Sequence, residues 1–511
     1  MIEPRLTLPG VEVYIGDAKE TVLRLAEKYG GKVNSVICSP PYLWKRDYGT
    51  ASWEGGDPAC DHGIKRQHGS VKVVEVAQSG HVSAADRLNR KVCAKCGALR
   101  ADQQIGIEDS LEEYIAKLCD LFDAIWKYLL REDASVWCNL GDTWSGSGGA
   151  GGDYNEGGLR EGQPKWRPGK SSVPRKSLMF IPERFAIEMV RRGWVCRNKP
   201  IWFKGRDVDD QAGEEDAIAL TSNGMPISAE DRLKETWEQW YHFVRSNKPV
   251  RWIHQRTGRV VLKKPKQEYE IGADGRKRPL WVGEDYTYDL DAVRVQMVKG
   301  ASGSTFTEGK TGVNGLGRVS QAERVDNPIG RNPGDLWFAP LTPFPLAHYA
   351  CYPPDITEIP VKTTCPEAVC QKCGTPRQAV YRIESKPAQG RDKRKVLVPG
   401  NREQQSGNYW ERPNVTPIGY TDCGCNAGWT GGIVLDPFFG SGSTAQGVNE
   451  ARPPVTIEGD YCQPLTIGID LDERNLDIIE KRLTGRAKQS RKVDLKPYQG
   501  GLLGMLENQA E

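Results

Sequence analysis

The spacing of apolar positions changes along the chain, and two spacings alternate. Short runs of β-branched and apolar residues predict strands at VEVYIG and VNSVICS. Between them, the helical spacing of ETVLRLAEKYG predicts a helix that ends at Gly30. A longer helix is predicted for SLEEYIAKLCDLFDAIWKYLL, with Ser110 as its cap and Glu113 three residues on. Alternating strands and helices are typical of an α/β fold with a parallel sheet.

The same order returns near the C-terminus. Strands are predicted at GGIVLD and LTIGID, and a helical pattern follows each of them. The α/β rhythm is lost in residues 206–335 and 365–430. The Gly-rich residues 145–172 predict a mobile loop, and the tail after Arg486 predicts disorder.

Composition narrows the class of protein. The 511 residues carry a formal net charge of only +3, so a nucleic-acid surface would have to be a local patch. The sequence has no apolar run of about 18 residues, and its N-terminus has no signal-peptide pattern, which predicts a cytoplasmic protein. In that compartment the 14 cysteines are expected to be metal ligands or buried residues rather than disulfides.

The glycine-rich turn after GGIVLD is the first motif with chemical content. Its glycines let the backbone approach a ligand closely, and the N–H groups of the following helix can point at that ligand. Asp436, at the strand end, can hold a cationic amine, and Asp470, at the end of the next strand, can accept hydrogen bonds from ribose hydroxyls. The alternative is a purely structural turn. The predicted ligand-binding residues are Asp436, Pro437, Phe438, Gly440, Ser441, Gly442, Thr444 and Asp470.

The second motif is Ser39-Pro40-Pro41-Tyr42, at the end of the strand VNSVICS. Two prolines fix the backbone and remove N–H donors, so the Ser39 hydroxyl and the Pro40 carbonyl would face a cleft as acceptors. An exocyclic aromatic amine needs such acceptors, because they draw on its protons and free its lone pair to attack a methyl sulfonium. Tyr42 would offer a ring face on which an extruded base can stack. The alternative is a rigid turn after a strand.

Together the two motifs resemble those of the amino-methylating DNA methyltransferases. SPPY lies near the N-terminus and DPFFGSGST near the C-terminus, an order that resembles the beta class with its bacterial and phage modification enzymes. The resemblance implies a seven-stranded, mostly parallel sheet with helices on both faces. It also implies S-adenosylmethionine as cofactor and double-stranded DNA as substrate, and it is compatible with a restriction endonuclease as a cellular partner.

Further segments carry the same resemblance. Asp17 stands where the family has an acid near the cofactor's adenine, and residues 139–142 resemble the loop that flanks the target pocket. His348 lies in a segment that resembles the one closing on the cofactor's methionine end. The stretch before Asp470 is longer than the family usually has, so a second acid within it, Glu458 or Asp460, competes for the ribose role.

The target base is predicted from the first motif position. In this family a serine there favours cytosine N4, and adenine N6 is the alternative. Methylation at cytosine C5 is not expected, because its cysteine nucleophile typically follows a proline and no Pro-Cys pair occurs here. RNA or protein methyltransferases with a related turn usually carry asparagine first and place the cofactor loop upstream. A non-catalytic, zinc-stabilised DNA-binding protein is disfavoured by the intact Ser39, Tyr42, Asp436 and Gly440.

The composition shifts and the resemblance divide the chain. Residues 1–55, 106–205 and 431–488 are assigned to the catalytic domain, 56–105 and 365–430 to Cys-rich insertions, 206–335 to target recognition, 336–364 to a cofactor-closing segment and 489–511 to a tail. Residues 245–266 hold eight Lys/Arg and no acid, so they are expected to contact DNA. The alternative is a solvated surface loop. The predicted contacts are Arg245, Lys248, Arg251, Trp252 and Arg256.

Two groups of cysteines have the spacing of structural zinc sites. A Cys-x-x-Cys pair followed by glycine occurs in each, and tetrahedral sulfur and nitrogen ligands suit zinc. Each group lies in an insertion with little apolar content, where a metal could substitute for a core. The alternative is free surface thiols. The predicted ligands are Cys60, His62, Cys93 and Cys96 in the first group and Cys370, Cys373, Cys423 and Cys425 in the second.

Overall fold

A central sheet of ten strands organises the part of the chain that the structure describes. The computed structural model describes residues 2–45, 48, 50–60, 65–67, 70–72, 93, 95–146, 172–205, 230–271, 277–295, 332–341, 351–384 and 414–485. The strands of the central sheet are β1 (Leu6–Leu8), β2 (Val11–Ile15), β3 (Val33–Cys38), β4 (Leu130–Leu140), β5 (Val195–Asn198), β6 (Ile201–Phe203), β7 (Trp237–Val244), β8 (Leu336–Phe338), β9 (Ile433–Asp436) and β10 (Leu465–Asp470).

The strand directions confirm a mostly parallel α/β sheet. Its order is β1-β2-β10-β9-β3-β4-β7-β6-β8, and β5 also pairs with β7. The strands from β2 to β4 in this order are parallel, whereas β7 is antiparallel to β4. The expected count of seven strands is corrected to ten. Two strands of three residues extend the edges, and Pro200 separates β5 from β6, which both pair with β7.

Six helices of the described residues cover both faces of the sheet. They are α1 (Ala18–Tyr29), α2 (Leu111–Tyr128), α3 (Ile181–Arg191), α4 (Glu358–Thr364), α5 (Ser443–Ala451) and α6 (Asn475–Leu483), with 3₁₀ turns at Asp291–Val293 and Pro354–Thr357. Successive side chains of β4 point to opposite faces, as a strand requires. Val136 and Cys138 pack in the core with α1, α2 and α3, whereas Trp137 packs in the core with α4 and α5. None of the described helices is long and apolar enough to cross a membrane.

Polar caps explain where the first two helices begin. The Ser110 hydroxyl accepts the Glu113 backbone N–H at 3.1 Å, which confirms the predicted cap of α2. The Asp17 carboxylate accepts the Glu20 backbone N–H at 2.9 Å at the start of α1, and that helix ends at Gly30 as predicted. Both caps satisfy N–H groups that have no partner within the helix.

Seven short sheets lie outside the central one. They are Ser52–Glu54 with Leu99–Ala101, Lys65–Gln67 with Ser70–Lys72, Arg251–His254 with Val260–Val261 and Trp281–Glu284, Tyr269–Ile271 with Lys277–Pro279, Val369–Cys370 with Trp429–Thr430, Ala379–Glu384 with Asn414–Tyr420, and Val455–Ile457 with Asp460–Cys462. Most of them lie in the irregular regions and insertions that the sequence indicated.

Residues 206–335, in which the sequence shows no regular α/β rhythm, contribute a strand to the central sheet. Their segment Trp237–Val244 is the central strand β7, buried along most of its length between β4 and β6. A strand covered on both faces lacks a clear polar–apolar alternation, which explains why WEQWYHFV gave no strand signal. The predicted loop, apart from residues 145, 146 and 172, and the predicted tail lie outside the described residues.

Candidate active site

Neighbouring parallel strands bring the two sequence motifs to one edge of the sheet. β9 lies between β3 and β10. Asp436, at the end of β9, therefore has Ser39 beyond the end of β3 on one side and Asp470 at the end of β10 on the other. Ligands of open α/β sheets bind at this carboxyl edge.

Asp436 is fully buried in a hydrogen-bonded position. Its Oδ1 accepts the Phe438 backbone N–H at 2.9 Å, and its Oδ2 accepts the Thr444 hydroxyl. The Tyr352 hydroxyl lies 3.5 Å from the same Oδ2. Burial raises the pKa of Asp436 to about 7, and the charge of Asp470 adds to that rise. A cationic ligand group would stabilise this carboxylate, so the site fits the ammonium of an amino-acid-like cofactor.

The turn from β9 into α5 uses a backbone conformation that glycine supplies. Gly440 has a φ of 52° and Gly442 a φ of 80°, and α5 begins directly after Gly442. Asp470 fastens this turn, because its Oδ2 accepts the Gly440 N–H at 2.6 Å while its Oδ1 accepts the Asp472 N–H at 2.7 Å. Burial raises the pKa of Asp470 to about 6.

The other predicted residues of this loop are placed around the same turn. Pro437 is buried, Phe438 is partly exposed, and the buried Ser441 has its hydroxyl 3.0 Å from the Cys351 thiol. A Cβ on Gly468 would lie 2.3 Å from the Phe439 ring, so only glycine fits where β10 passes under the loop.

The acid that neighbours the loop is Asp470 and not its two competitors. Asp460 accepts the Trp429 backbone N–H at 2.8 Å, and Glu458 accepts the Trp429 indole N–H at 3.2 Å, so both face the second Cys-rich insertion. Asp17 follows Gly16, whose N–H donates to the Asp470 carbonyl at 2.9 Å. Asp17 and Asp470 therefore lie at the ends of adjacent strands.

The cofactor-closing segment contributes a residue that the sequence motifs did not single out. The hydroxyl of Tyr352 hydrogen-bonds to Thr444 as well as approaching Asp436, and burial raises its pKa well above the usual range. The sequence offered one sign of this role, because Tyr352 lies four residues after His348 in the segment that resembles the cofactor-closing one. His348, predicted in the same segment, lies outside the described residues.

The Ser39-Pro40-Pro41-Tyr42 turn is held by side chains from strand β4 and helix α2. The Ser39 hydroxyl donates to Asn139 Oδ1 at 3.2 Å, and the Tyr42 hydroxyl lies 2.9 Å from the same oxygen. Pro40 is buried, and the Pro41 carbonyl accepts the Tyr114 hydroxyl at 2.8 Å. Because the Ser39 proton is directed at Asn139, its oxygen lone pairs remain available as acceptors.

Glu238 is the residue of this pocket that sequence reasoning missed. Its carboxylate accepts the Tyr42 hydroxyl at 2.6 Å and forms an ion pair with Lys204. Burial and the charge of Glu238 raise the pKa of Tyr42 well above its usual range. Burial, followed by the charge of Glu238, also raises the pKa of the nearby Glu235 to about 7.

A close backbone contact fixes the ring of Tyr42. A Cβ on Gly141 would lie only 2.4 Å from the Tyr42 ring, so glycine alone allows the ring to pack there. Next in the chain, Asp142 accepts the backbone N–H groups of Thr143, Phe180 and Ile181 at 2.7–3.2 Å. Residues 139–142 therefore flank the Ser39-Pro40-Pro41-Tyr42 turn. The Asp142 carboxylate, however, accepts hydrogen bonds from the backbone at Thr143 and at the start of α3.

The basic stretch lies at the opposite edge of the sheet. It follows β7, whose last residue Val244 pairs with Ser135 near the start of β4. Asp133, near the start of β4, forms an ion pair with Arg251 of the basic stretch. Asn139, which contacts Ser39 and Tyr42, lies six residues further along the same strand. Six residues of a strand span about 20 Å. The Ser39-Pro40-Pro41-Tyr42 turn and the basic stretch therefore occupy different ends of β4.

The predicted DNA contact of Arg251 is wrong, because its side chain is buried in an ion-pair network. Arg251 is 3% exposed, forms an ion pair with Asp133, and donates to Glu284 at 2.6 Å and to Thr287 at 3.0 Å. Its charge is thus neutralised inside the protein and joins a small sheet to β4. No duplex can reach it without unfolding this network.

The other four predicted DNA contacts are at the same edge. Arg245 lies over the Trp126 ring at 5.2 Å, Arg256 forms an ion pair with Glu270 at 2.7 Å, Lys248 is exposed and Trp252 is partly exposed. DNA contact by these four residues stays a prediction, and it would involve a surface away from the target pocket.

The cysteine groups come together as the spacing indicated. The sulfur atoms of Cys370, Cys373, Cys423 and Cys425 all lie within 4.8 Å of one another, and so do those of Cys60, Cys93 and Cys96. Tetrahedral metal sites require such proximity. His62 lies outside the described residues.

Comparison with known proteins places these features in a family. A sequence model of the DNA methylase family matches residues 33–481. The type II methyltransferase M.SfiI of Streptomyces fimbriatus is 21% identical over 432 residues, which cover 70% of this chain and 81% of that protein. M.SmaI of Serratia marcescens, also named a type II methyltransferase, is 25% identical over 197 residues, 39% of this chain and 49% of its own.

Among solved structures, the cytosine-N4-specific PvuII DNA methyltransferase aligns with this chain at a TM-score of 0.35 and 11% identity. The alignment covers 94% of this chain and 96% of that protein.

Proposed function

The chain belongs to the DNA methylase family and is an S-adenosylmethionine-dependent DNA methyltransferase, and from that premise we propose that it methylates cytosine N4 in double-stranded DNA. The base would be extruded from the duplex into the pocket of Ser39 and Tyr42, because its amine is out of reach within the helix. Adenine N6 is the second candidate, since the same acceptors would serve it.

The hydrogen bonding of Ser39 is the observation that carries this proposal. Its proton is directed at Asn139, so the lone pairs of its oxygen are left to accept a hydrogen bond from an amine. An acceptor on the target amine draws on an N–H bond and frees the nitrogen lone pair. The amine could then take up the methyl group that S-adenosylmethionine would supply, and it would give up one of its protons in exchange.

The residues at the carboxyl edge fit S-adenosylmethionine, which supplies the methyl group as a sulfonium. Asp436 would hold its ammonium, and the turn at Gly440 would let the backbone approach it closely. Asp470 would accept hydrogen bonds from the ribose hydroxyls, and Asp17, at the end of the adjacent strand, would lie near the adenine. His348 would contribute to closure over the methionine end.

Zinc is proposed as a structural metal at both cysteine groups. Four thiolates that converge within 4.8 Å at Cys370, Cys373, Cys423 and Cys425 would complete a tetrahedral site without a position for substrate. Cys60, Cys93 and Cys96 supply three ligands of the other site, and His62 would be the fourth. A metal count of two zinc ions per chain by mass spectrometry would support both sites.

A modification role is proposed from the names of the relatives. M.SfiI and M.SmaI are named type II methyltransferases. We infer that this protein methylates a fixed recognition sequence and that a restriction endonuclease of the same specificity is its cellular counterpart.

The proposed function is tested by mass spectrometry of nucleosides. Plasmid DNA is incubated with the protein and methyl-labelled S-adenosylmethionine, digested and analysed, and sequencing of the methylated plasmid maps the recognition site. Label in N4-methylcytosine is the expected result. Label in N6-methyladenine would retain the chemistry and change the base. No labelled nucleoside, although the cofactor binds, would contradict the proposal.

A further inference from the structure

Leu233 is an exposed apolar side chain that lies five residues before Glu238 in the chain. It is 91% exposed, the highest value among the large apolar side chains of the described residues. Burial of such a side chain is favourable because it removes a large apolar surface from water. Single exposed leucines are common on protein surfaces, so its meaning depends on what surrounds it.

The segment that carries Leu233 is fixed on both sides. Before it, Asp231 forms an ion pair with Lys176 at 2.6 Å, and the Arg232 guanidinium stacks on the Trp144 ring at 3.6 Å. After it, the carbonyl of Thr236 accepts the Lys204 N–H at 2.8 Å.

Both anchors connect to the surroundings of the Ser39-Pro40-Pro41-Tyr42 turn. Trp144 follows Asp142 at the end of β4. Lys204 forms the ion pair with Glu238, and Glu238 accepts the Tyr42 hydroxyl. Leu233 therefore projects from a supported segment five residues before Glu238 in the chain.

The same edge exposes other large apolar side chains. Phe180 and Trp237 are also exposed at this edge, one at the start of α3 and the other at the start of β7.

We propose that Leu233 enters the base stack of the duplex and fills the space that the extruded target base leaves. This proposal rests on the proposed function. Extrusion breaks the stacking on both sides of the target base, which costs free energy. An apolar side chain in the gap restores contact with the neighbouring bases, as apolar wedges do when they enter base steps. Leu233 would act as a positioning residue that holds the extruded state and takes no part in the chemistry.

The test measures base extrusion directly. A duplex with the recognition site carries a fluorescent analogue at the target position, pyrrolocytosine for cytosine or 2-aminopurine for adenine, whose emission rises on unstacking. Leu233→Ala is compared with the wild type and with Leu23→Ala. Leu23 is the control, because it is also an exposed leucine, 46% exposed, but lies on α1 outside the residues proposed to bind cofactor, base or DNA. Leu233→Met keeps an apolar side chain of similar length.

Leu233→Ala should lose most of the fluorescence rise and about tenfold in kcat/KM, which corresponds to about 1.4 kcal/mol. Leu233→Met and Leu23→Ala should behave like the wild type. Mispairing the target base makes extrusion easier, so it should restore much of the activity of Leu233→Ala.

Equal fluorescence and turnover of Leu233→Ala and wild type would overturn the wedge and leave the proposed function intact. A wild type that extrudes the base but labels no nucleoside would contradict the proposed function instead. Loss of activity in Leu233→Ala with an undiminished fluorescence rise would also overturn the wedge.

Discussion

At the scale of single residues, Asp436 holds the turn after β9 by hydrogen bonds and also has a raised pKa. Its carboxyl lies at the end of a buried strand and receives hydrogen bonds from Phe438 and Thr444, yet burial still raises its pKa to about 7. Ionisation of the Asp436 carboxyl is therefore unfavourable in the folded protein unless a cation binds next to it. This property ties cofactor binding to pH.

Cofactor affinity should fall as the pH is lowered through 7. Only the ionised Asp436 attracts an ammonium, and below its pKa each pH unit should weaken binding by up to about tenfold. Asp436→Asn keeps the shape without the charge, so its affinity should be about ten- to a hundredfold lower at pH 7.5 and nearly independent of pH. Calorimetric titration with S-adenosylmethionine between pH 5.5 and 7.5 measures both. A wild-type affinity that does not change with pH would remove Asp436 from the ammonium site.

The hydroxyl of Tyr42 should matter for turnover and not for the cofactor. Tyr42→Phe retains the ring but loses the bonds to Asn139 and Glu238, so we expect about a tenfold lower kcat with unchanged cofactor affinity. Tyr29→Phe is the control, because the Tyr29 hydroxyl also donates to a carboxylate at 2.6 Å. That carboxylate belongs to Glu12 on β2, outside the proposed base pocket. A comparable loss of kcat in both variants would point to general destabilisation instead of a role in the pocket.

At the scale of elements, the sequence pattern predicted the features that depend on neighbouring residues, such as the ends of strands. The strand ends that carry Ser39, Asp436 and Asp470 could be predicted because each motif directly follows an apolar run. Glu238 could not, since it meets Tyr42 across 196 positions of the chain and lies on a strand without alternation. Pairing of distant strands is decided by tertiary packing, which spacing along the chain does not record.

The same limit explains the error at Arg251. A run of basic residues predicts a surface, but the acids that neutralise Arg251 come from other segments, Asp133 on β4 and Glu284 on the small sheet. Arg251 therefore connects elements instead of presenting charge to DNA.

Arg251→Met should destabilise the fold without an effect on DNA contacts. Asp133 stays buried but keeps its ion pair with Arg131 at 2.8 Å, so the loss should be smaller than the roughly 3–5 kcal/mol of a buried charge left without any partner. Urea unfolding should show this loss, while the folded variant keeps the salt dependence of DNA binding. Lys248→Ala is the control, since the Lys248 side chain is exposed and its loss should leave unfolding unchanged. An Arg251→Met protein of normal stability with weakened DNA binding would restore the original prediction.

At the scale of the whole molecule, the two edges of the sheet have different tasks. The carboxyl edge gathers the residues proposed to bind cofactor and base, and the amino edge carries the basic stretch and the second Cys-rich insertion. These two parts of the amino edge are joined, because the Val260 N–H donates to the Asp422 carbonyl and the Asp422 N–H to the Gly258 carbonyl, both at 2.8 Å. The guanidinium of Arg131, on β4, donates to the Cys373 carbonyl at 3.3 Å.

Loss of the metal at the second cysteine group should therefore affect stability more than chemistry. Cys423→Ser removes one of four ligands, and since metal binding and folding are coupled we expect one zinc ion fewer per chain and a melting temperature lower by several degrees. The molecules that remain folded should keep the wild-type cofactor affinity, because the pocket lies at the other end of β4. Cys196→Ser, an exposed thiol outside both groups, is the control for metal content and melting. Unchanged zinc content in Cys423→Ser would exclude this group as a metal site, whereas loss of cofactor affinity at normal stability would show that the two edges are coupled through the sheet.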